Sequence, residues 1–268
     1  PALSASYLCK GKGLHLAFDF SLLYQPFDSH KIYRCIKNWY NHIPEHCWPC
    51  NVLSNHDQQR YADKFSQEDN DSIKRLMALL LLTLWGTPFI YYGEEIGMKN
   101  TSIPLHKIVD PAGKRFWPIY KGRDCARTPM QWSDEANAGF SHTMCWLPID
   151  SNYRTINVKH QLKDRYSLLN YYKDLIRLRK NHYALTHGSW EPLIKGKNGI
   201  IAYIRKADSE TLCMLLNFND HATHIHHHYE AQWKVLFSTH RSRFEHFADL
   251  RIDCYPFEAT ILQKIGDL

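Results

Sequence analysis

Residues 51–60 read NVLSNHDQQR, and residues 80–98 read LLLTLWGTPFIYYGEEIGM. Each stretch contains a short apolar run followed by turn-forming or polar residues, which is typical of a buried strand and the loop after it. In the first stretch, the strand predicted at Asn51–Ser54 leads directly into the polar cluster Asn55–Asp57. A carboxylate and an imidazole at the carboxyl end of a parallel strand stand where α/β barrels place reactive groups. A helix N-cap formed by one of these residues is the structural alternative.

The neighbouring segments extend an alternation of strands and helices. Leu14–Phe20 alternates apolar residues and predicts a strand, while the stretch from Ser29 carries apolar residues at helical spacing until Pro44 ends it. A second helix is predicted over Asp71–Trp85, and a third strand at Phe89–Tyr92. Strands that alternate with helices predict a parallel sheet with crossover helices, of which three strands are visible here.

The rest of the chain contains two regions with different sequence patterns. Residues 94–165 show little periodicity and many turn residues, which is typical of a long functional excursion, and Ser167 then caps a predicted helix. Beyond about Ala184, short apolar runs separated by turn residues predict an antiparallel β domain. These runs are Ile200–Arg205, Thr211–Phe218, Trp233–Phe237 and Phe257–Leu262. We therefore predict two domains, residues 1–183 and residues 184–268.

The composition excludes several classes of protein. The chain has 268 residues, of which 44% are hydrophobic and 22% charged, so neither a disordered chain nor a coiled coil is expected. The net charge of +6 is diffuse and forms no basic stripe, which argues against a nucleic-acid partner. The longest apolar stretch, Met77–Trp85, is interrupted by Thr83 and is far shorter than the roughly 20 residues that span a bilayer. We expect no membrane partner.

Two clusters of potential metal or thiol ligands need separate interpretation. Cys47 and Cys50 form a C-x-x-C pair, but the pair precedes a strand and lacks the helix N-terminus that activates redox thiols. His224, His226 and His228 would share one face of a strand, yet no carboxylate or Cys lies among them in the sequence. We therefore predict no metal site and no cofactor.

Motifs in the first two thirds of the chain point to a known family. They are NVLSNHDQQR at 51–60, LLLTLWGTPFIYYGEEIGM at 80–98, RDCARTPMQW at 123–132, NAGFS at 137–141, WLP at 146–148 and INV at 156–158. In this order they closely resemble the α-amylase superfamily of glycoside hydrolases. Within it, the resemblance is to the α-glucosidase and oligo-1,6-glucosidase branch.

The resemblance implies a fold. Members have a (β/α)₈ TIM barrel followed by a β-sandwich, and on that template Leu14–Phe20, Asn51–Ser54 and Phe89–Tyr92 correspond to barrel strands six, seven and eight. The expected fold class is therefore α/β: the C-terminal part of a barrel and then an antiparallel sandwich domain.

The resemblance also implies a site. Asp57 matches the carboxylate that stabilises the transition state, His56 is expected to donate to the same sugar hydroxyls, and Arg123 and Arg127 are expected to orient the carboxylate and the terminal glucose. The implied substrate is a short maltose-like or isomaltose-like oligosaccharide. Glu94 and Glu95, which follow strand eight, are structural in the family.

The nucleophilic Asp and the acid/base Glu of the family follow strands four and five, which have no counterpart here. We therefore expect a C-terminal fragment of a retaining α-glucosidase, inactive alone and partnered by the missing N-terminal part of the barrel. The start at Pro1, without a leader, fits a processed or partial chain. Alternatives are a trehalose synthase or sucrose isomerase, and a non-catalytic heavy chain of an amino-acid transporter.

The spacing of the cysteines indicates the cellular compartment in which we expect the protein. Eight Cys lie scattered along the chain without the spacing of a disulfide framework. Free thiols are the default in a reducing compartment, so we expect a cytoplasmic protein.

Overall fold

A computed structural model of the chain describes residues 1–8, 13–65, 70–208, 210–241 and 245–267. Eight α-helices are described in these ranges. They are α1 (Ala2–Ser6), α2 (Ser29–His42), α3 (Tyr61–Phe65), α4 (Asp71–Thr83), α5 (Pro111–Arg115), α6 (Val158–Lys163), α7 (Leu168–Asn181) and α8 (Tyr183–His187). Among the described helices, none combines the length and apolarity needed to cross a membrane.

Eight strands form two sheets in the described ranges. They are β1 (Cys50–Val52), β2 (Thr87–Phe89), β3 (Ser189–Lys195), β4 (Ile200–Ala207), β5 (Glu210–Asn217), β6 (Thr223–Ser238), β7 (His246–Cys254) and β8 (Ala259–Gly266). Strands β1 and β2 pair in parallel, with Cys50 opposite Thr87. The other six form one antiparallel sheet in the order β3-β4-β5-β8-β6-β7.

The chain divides into two compact units. The first consists of residues 1–52, 75–89 and 175–268, and the second of residues 53–74 and 90–174. The predicted boundary between residues 183 and 184 remains a prediction.

The helix predictions agree with the structure. Helix α2 ends at His42, because the residue before Pro44 is disfavoured in the helical region and Ile43 is extended. Its N-cap is Asp28, whose carboxylate accepts from the Lys31 amide at 2.9 Å. Ser167 caps α7 as predicted, since its Oγ accepts from the Asn170 amide at 3.2 Å.

The predicted strand at Leu14–Phe20 is wrong. These residues are described, and none of them belongs to a strand. A strand needs a ladder of backbone hydrogen bonds with a neighbour. Here the link to β1 is a side-chain contact instead, in which Cys50 Sγ donates to the carbonyl oxygen of Ala17 at 2.9 Å. The alternating apolar pattern instead serves ring packing, because Phe18 stacks on Phe20 and meets the edge of Phe89.

Strand β1 begins one residue and ends two residues before the predicted range, and strand β2 begins two residues and ends three residues before it. The turn before β2 explains the start of that strand. Gly86 has φ +114°, and a Cβ there would lie 2.5 Å from the carbonyl oxygen of Pro49, so only glycine fits. Arg179 supports the same turn by donating to the carbonyl oxygens of Leu82 and Gly86.

The antiparallel sheet is stabilised by a large apolar core. Trp233, Leu262, Ile204 and Cys213 are completely buried at its centre. Burial of such side chains contributes about 1.5–3 kcal/mol each, which makes this core a principal source of stability. Arg205 is also fully buried, and its guanidinium donates to carbonyl oxygens rather than to a carboxylate.

Candidate active site

The centre of the site is the Asp57 carboxylate with two arginines. Arg127 Nη2 donates to Asp57 Oδ1 at 2.8 Å, and Arg123 Nη1 donates to the same oxygen at 3.1 Å. Arg127 also donates from Nε to the carbonyl oxygen of His56 at 2.8 Å. The predicted site residues are therefore brought together by direct contacts, although the arginines lie about 70 residues further along the chain than Asp57.

The segment that holds Asp57 is a loop, not a helix N-terminus. The Asp57 amide donates to Asn55 Oδ1 at 2.9 Å, so Asn55 forms a local side-chain turn. The next helix, α3, begins only at Tyr61. The capping alternative therefore does not apply, and the Asp57 side chain is available for the arginines.

His56 lies beside the carboxylate and remains accessible. Its Nε2 is 3.5 Å from Asp57 Oδ2, whereas both arginines donate to Oδ1. The side chains of His56 and Asp57 are 66% and 43% exposed, so a ligand can reach both. An exposed donor and acceptor side by side match the adjacent hydroxyls of a sugar ring.

A second carboxylate, Asp110, fixes Arg123. Arg123 donates to Asp110 Oδ2 from Nε at 3.0 Å and to Oδ1 from Nη2 at 3.1 Å. The hydrogen bonds from the Arg123 side chain lower the pKa of Asp110 to about 2. Asp124 in turn accepts from the amides of Val109 and Asp110, at 2.6 and 2.8 Å. Asp124 therefore orders the loop that positions Asp110.

The role of Asp110 could not be predicted from the sequence. Asp-Pro at 110–111 is a helix-start signal, and Asp110 does cap the short helix α5. Arg123 lies 13 positions further along the chain, and its pairing with Asp110 depends on the fold of the segment between them, which no local pattern encodes.

Arg60 is a buried residue that supports the site, and it was not predicted as a site residue. It is 1% exposed and donates to the carbonyl oxygens of Tyr92 and Ala126. Its guanidinium also lies over the rings of Tyr91 and Tyr92, at 5.0 and 4.6 Å from their centroids. Arg60 therefore joins the loop after Asp57 to the segment that leads into Arg127.

Glu94 anchors the residue that precedes the polar cluster. Its carboxyl group accepts a hydrogen bond from the Ser54 hydroxyl, and its side chain is almost fully buried. Burial is the main cause that raises the Glu94 pKa to about 8, and the negative charge of Glu95 adds to it. Glu94 is thus a neutral acid at pH 7, in keeping with a structural role.

The two alternative clusters make ordinary structural contacts. Cys47 and Cys50 are not joined in a disulfide, and burial raises the pKa of Cys50 to about 11. His224 pairs with Asp253 of β7, and His228 pairs with Asp249 of β7 and with Glu230. Within the described ranges, no three His, Cys, Asp or Glu side chains are grouped so as to hold a metal ion.

Comparisons with known proteins identify similar sequences. Residues 12–188, about two thirds of the chain, match the family described as Alpha-amylase, the alpha amylase catalytic domain. The oligo-1,6-glucosidase of Parageobacillus thermoglucosidasius is 34% identical in an alignment of 216 residues that covers 73% of this chain and 38% of that protein. A probable alpha-glucosidase of Rhizobium meliloti is 30% identical over 223 residues, 82% of this chain and 40% of that protein.

Solved structures extend the similarity to almost the whole chain. An isomaltulose synthase mutant of Erwinia rhapontici NX5, in complex with its natural substrate sucrose, is 27% identical with a TM-score of 0.86. The alignment covers 97% of this chain and 53% of that one. This chain thus spans about two fifths of the curated relatives' length and about half of the solved chain. It belongs to the α-amylase family, whose catalytic fold is of the TIM-barrel type and whose members related to this chain include oligo-1,6-glucosidases.

Proposed function

We propose that the chain is the C-terminal part of a retaining α-glucosidase that acts on short maltose-like or isomaltose-like oligosaccharides. The observation that carries the proposal is the convergence of Arg123 and Arg127 on one oxygen of Asp57, with His56 beside the other oxygen. The two guanidinium groups orient the carboxylate, and the accessible side leaves room for a glucose ring.

In this proposal Asp57 stabilises the transition state. Cleavage with retention passes through oxocarbenium-like states on either side of a glycosyl-enzyme intermediate. Asp57 and His56 hold ring hydroxyls next to the reacting carbon, and their interactions strengthen as positive charge develops there. Arg123 and Arg127 keep Asp57 in the required orientation, so little reorganisation is needed during the reaction.

The nucleophile and the acid/base belong, in this proposal, to barrel strands outside these 268 residues. This part of the proposal is supported by the length comparison, since the chain spans 38% and 40% of the two curated relatives. The chain supplies strands equivalent to the end of the barrel at residues 1–183 and a β-sandwich at 184–268. It is inactive alone, requires no metal or cofactor, acts in the cytoplasm and binds neither nucleic acid nor membrane.

A second candidate is a glucosyl-transferring or isomerising enzyme. It is favoured by the similarity to isomaltulose synthase and to a trehalulose synthase of TM-score 0.89 and 25% identity. Product analysis separates the two functions: sucrose is converted to an isomer by the second and to glucose and fructose by the first. The transporter heavy-chain alternative has less support, because a non-catalytic protein has no need of the Asp57 arrangement.

The test combines this chain with the part of the barrel it lacks. The chain is produced alone and together with the N-terminal part of the P. thermoglucosidasius oligo-1,6-glucosidase, and hydrolysis of p-nitrophenyl α-glucoside is measured. We expect turnover only from the combination, and a loss of about 100-fold or more in the Asp57→Asn variant. Asp134→Asn, which removes an exposed partner of Lys159, is the matched control and should retain activity.

Three results would contradict the proposal. Turnover by the chain alone would show that it contains its own nucleophile and acid. Equal activity of Asp57→Asn and Asp134→Asn would remove the role of Asp57. A combination that copurifies but hydrolyses nothing would show that this chain does not complete the site.

A further inference from the structure

A pocket lined with aromatic rings lies within the unit made of residues 1–52, 75–89 and 175–268. Its volume is about 520 Å³, within the usual range for small-molecule sites. Helix α2 contributes Tyr40, the turn before β2 contributes Trp85, and β3 contributes Trp190. The pocket shares no residue with the Asp57 site.

The three rings form a rigid aromatic surface. Trp85 and Trp190 each meet Tyr40 at a steep angle, 75° and 82°, with ring centroids 5.1 and 5.0 Å apart. The Tyr40 hydroxyl donates to the carbonyl oxygen of Trp85 at 2.7 Å, which fixes the Tyr40 ring in place. Tyr40 is buried, while both Trp side chains are partly exposed, so the indoles can contact a ligand.

The rim of the pocket is polar. Lys37 and Asn41 lie one turn apart on α2, and His187 and Ser189 flank the start of β3. All four are exposed. None of the described lining residues carries a carboxylate. The rim therefore offers an amide, a hydroxyl, an imidazole and an ammonium group to a neutral, hydroxyl-rich ligand.

This combination fits a sugar. A pyranose has an apolar face of C–H groups that packs on an aromatic ring, and a periphery of hydroxyl groups that need hydrogen-bond partners. We propose that the pocket is a second carbohydrate-binding site, which takes a short gluco-oligosaccharide on Trp85 and Trp190 and holds its hydroxyls with Lys37 and Asn41. The site binds sugar without cleaving it, which goes beyond the hydrolytic function proposed for Asp57.

A nucleotide base also packs on aromatic rings, so a nucleotide is the competing ligand for this pocket. Its phosphate groups distinguish it from a sugar. Phosphate groups need several cationic or backbone donors. Lys37 is the only permanently cationic side chain among the residues that line the pocket. The pocket chemistry therefore favours the neutral sugar over the nucleotide.

The test measures maltotriose binding to the 268-residue chain by isothermal titration calorimetry, with AMP as the competing probe. Two variants address the pocket: Trp190→Ala, and the double variant Lys37→Ala/Asn41→Ala. The double variant changes only exposed side chains and so keeps the test valid should Trp190→Ala fail to fold. Lys31→Ala/Asn38→Ala changes the same residue types, also exposed, elsewhere on α2 and is the matched control.

We expect maltotriose binding that weakens about tenfold or more in both pocket variants. The Lys31→Ala/Asn38→Ala control should bind with wild-type affinity. Binding lost in Asp57→Ala but kept in the pocket variants would place the sugar at the first site and overturn the proposal. Absence of binding, or AMP binding as tightly as maltotriose, would also overturn it. Because Asp57→Ala disables the proposed hydrolysis, the two proposals can fail separately.

Discussion

Arg123 and Asp110 are joined at two points, Nε to Oδ2 at 3.0 Å and Nη2 to Oδ1 at 3.1 Å. The remaining guanidinium nitrogen, Nη1, then points to Asp57 at 3.1 Å. The guanidinium group is planar, and Asp110 holds two of its nitrogens. The third nitrogen can therefore donate in only one direction. Asp110 therefore determines how Arg123 meets Asp57, although Asp110 acts only through Arg123.

The first prediction concerns Asp110 and acid stability. Because its pKa of about 2 in the folded chain lies below the ordinary value of 3.8, the ionised form stabilises the fold above about pH 3.8. That contribution is lost as the pH falls toward 2. We expect Asp110→Asn to lower the melting temperature by several degrees at pH 6 and by progressively less below pH 4, measured by circular dichroism.

A control distinguishes this pair from an ordinary surface ion pair. Asp134→Asn removes an exposed partner of Lys159, and exposed pairs are worth only about 0–1 kcal/mol. A change of melting temperature for Asp134→Asn as large as that for Asp110→Asn would contradict the positioning role of Asp110.

The second prediction concerns Glu94 and alkaline stability. Its pKa of about 8 lies above the ordinary value of 4.5, so the unfolded chain releases this proton at a lower pH than the folded chain does. The stabilisation by the neutral acid is complete below about pH 4.5 and is lost as the pH rises through 8. We expect Glu94→Gln to unfold at a higher temperature than wild type at pH 9, with a smaller difference at pH 5.

An exposed glutamate provides the control for Glu94→Gln. Glu135 is exposed, so Glu135→Gln should follow the wild-type profile from pH 5 to pH 9. If Glu94→Gln also follows the wild-type profile, Glu94 is ionised in the folded chain and the account of its burial is wrong.

The third prediction concerns Arg60. Lysine cannot reach the carbonyl oxygens of Tyr92 and Ala126 with one planar group, so at least one of these buried hydrogen bonds is lost. The Ala126 oxygen keeps its hydrogen bond from the Tyr91 hydroxyl. We expect Arg60→Lys to reduce the free energy of unfolding by about 2–4 kcal/mol, measured by urea denaturation. The exposed Arg34 provides the control, and Arg34→Lys should change stability by less than about 0.5 kcal/mol.

A stability of Arg60→Lys equal to that of Arg34→Lys would show that the two carbonyl contacts are dispensable. Close packing around Arg60 makes that outcome unexpected. A Cβ added at Gly93 would lie 2.9 Å from Arg60 Nη1, so the backbone approaches the guanidinium closely.

The fourth prediction concerns the cysteines. Burial raises the pKa of Cys50 to about 11 and that of Cys254 to about 12, so both stay protonated and shielded at pH 8. We expect iodoacetamide to modify Cys145 in the native chain and to modify Cys50 and Cys254 only after unfolding, as read by mass spectrometry. Rapid native modification of Cys50 would instead favour a redox role for the Cys47 and Cys50 pair.

The position of Asp57 could be predicted because the evidence for it is local. A short apolar run followed at once by polar residues indicates a strand end, and the structure has β1 just before Asn55. The involvement of Arg123 and Arg127 came from the family resemblance, not from any periodicity. The contacts of Asp110 with Arg123, and of Ser54 with Glu94, join residues 13 and 40 positions apart and needed the fold.

The errors in the strand predictions also arise from contacts between residues that are far apart in the sequence. Whether an alternating segment becomes a strand depends on a partner elsewhere in the chain, and Leu14–Phe20 has ring contacts in place of a ladder. Conversely, β6 runs from Thr223 to Ser238, far beyond the predicted Trp233–Phe237. Its His-rich half was underestimated because the buried residues Ile225 and Ala231 are few, and only pairing with β7 reveals the strand.

The order of the six-stranded sheet has a consequence for biosynthesis. Strand β8 lies between β5 and β6, although it is the last of the six to leave the ribosome. Until residues 259–266 emerge, the nascent polypeptide can form only two separate ribbons, β3-β4-β5 and β6-β7, each with an unpaired edge. A stalled or nicked product that ends before Ala259 would therefore expose both edges at once, and cellular proteases and chaperones would recognise it as incomplete.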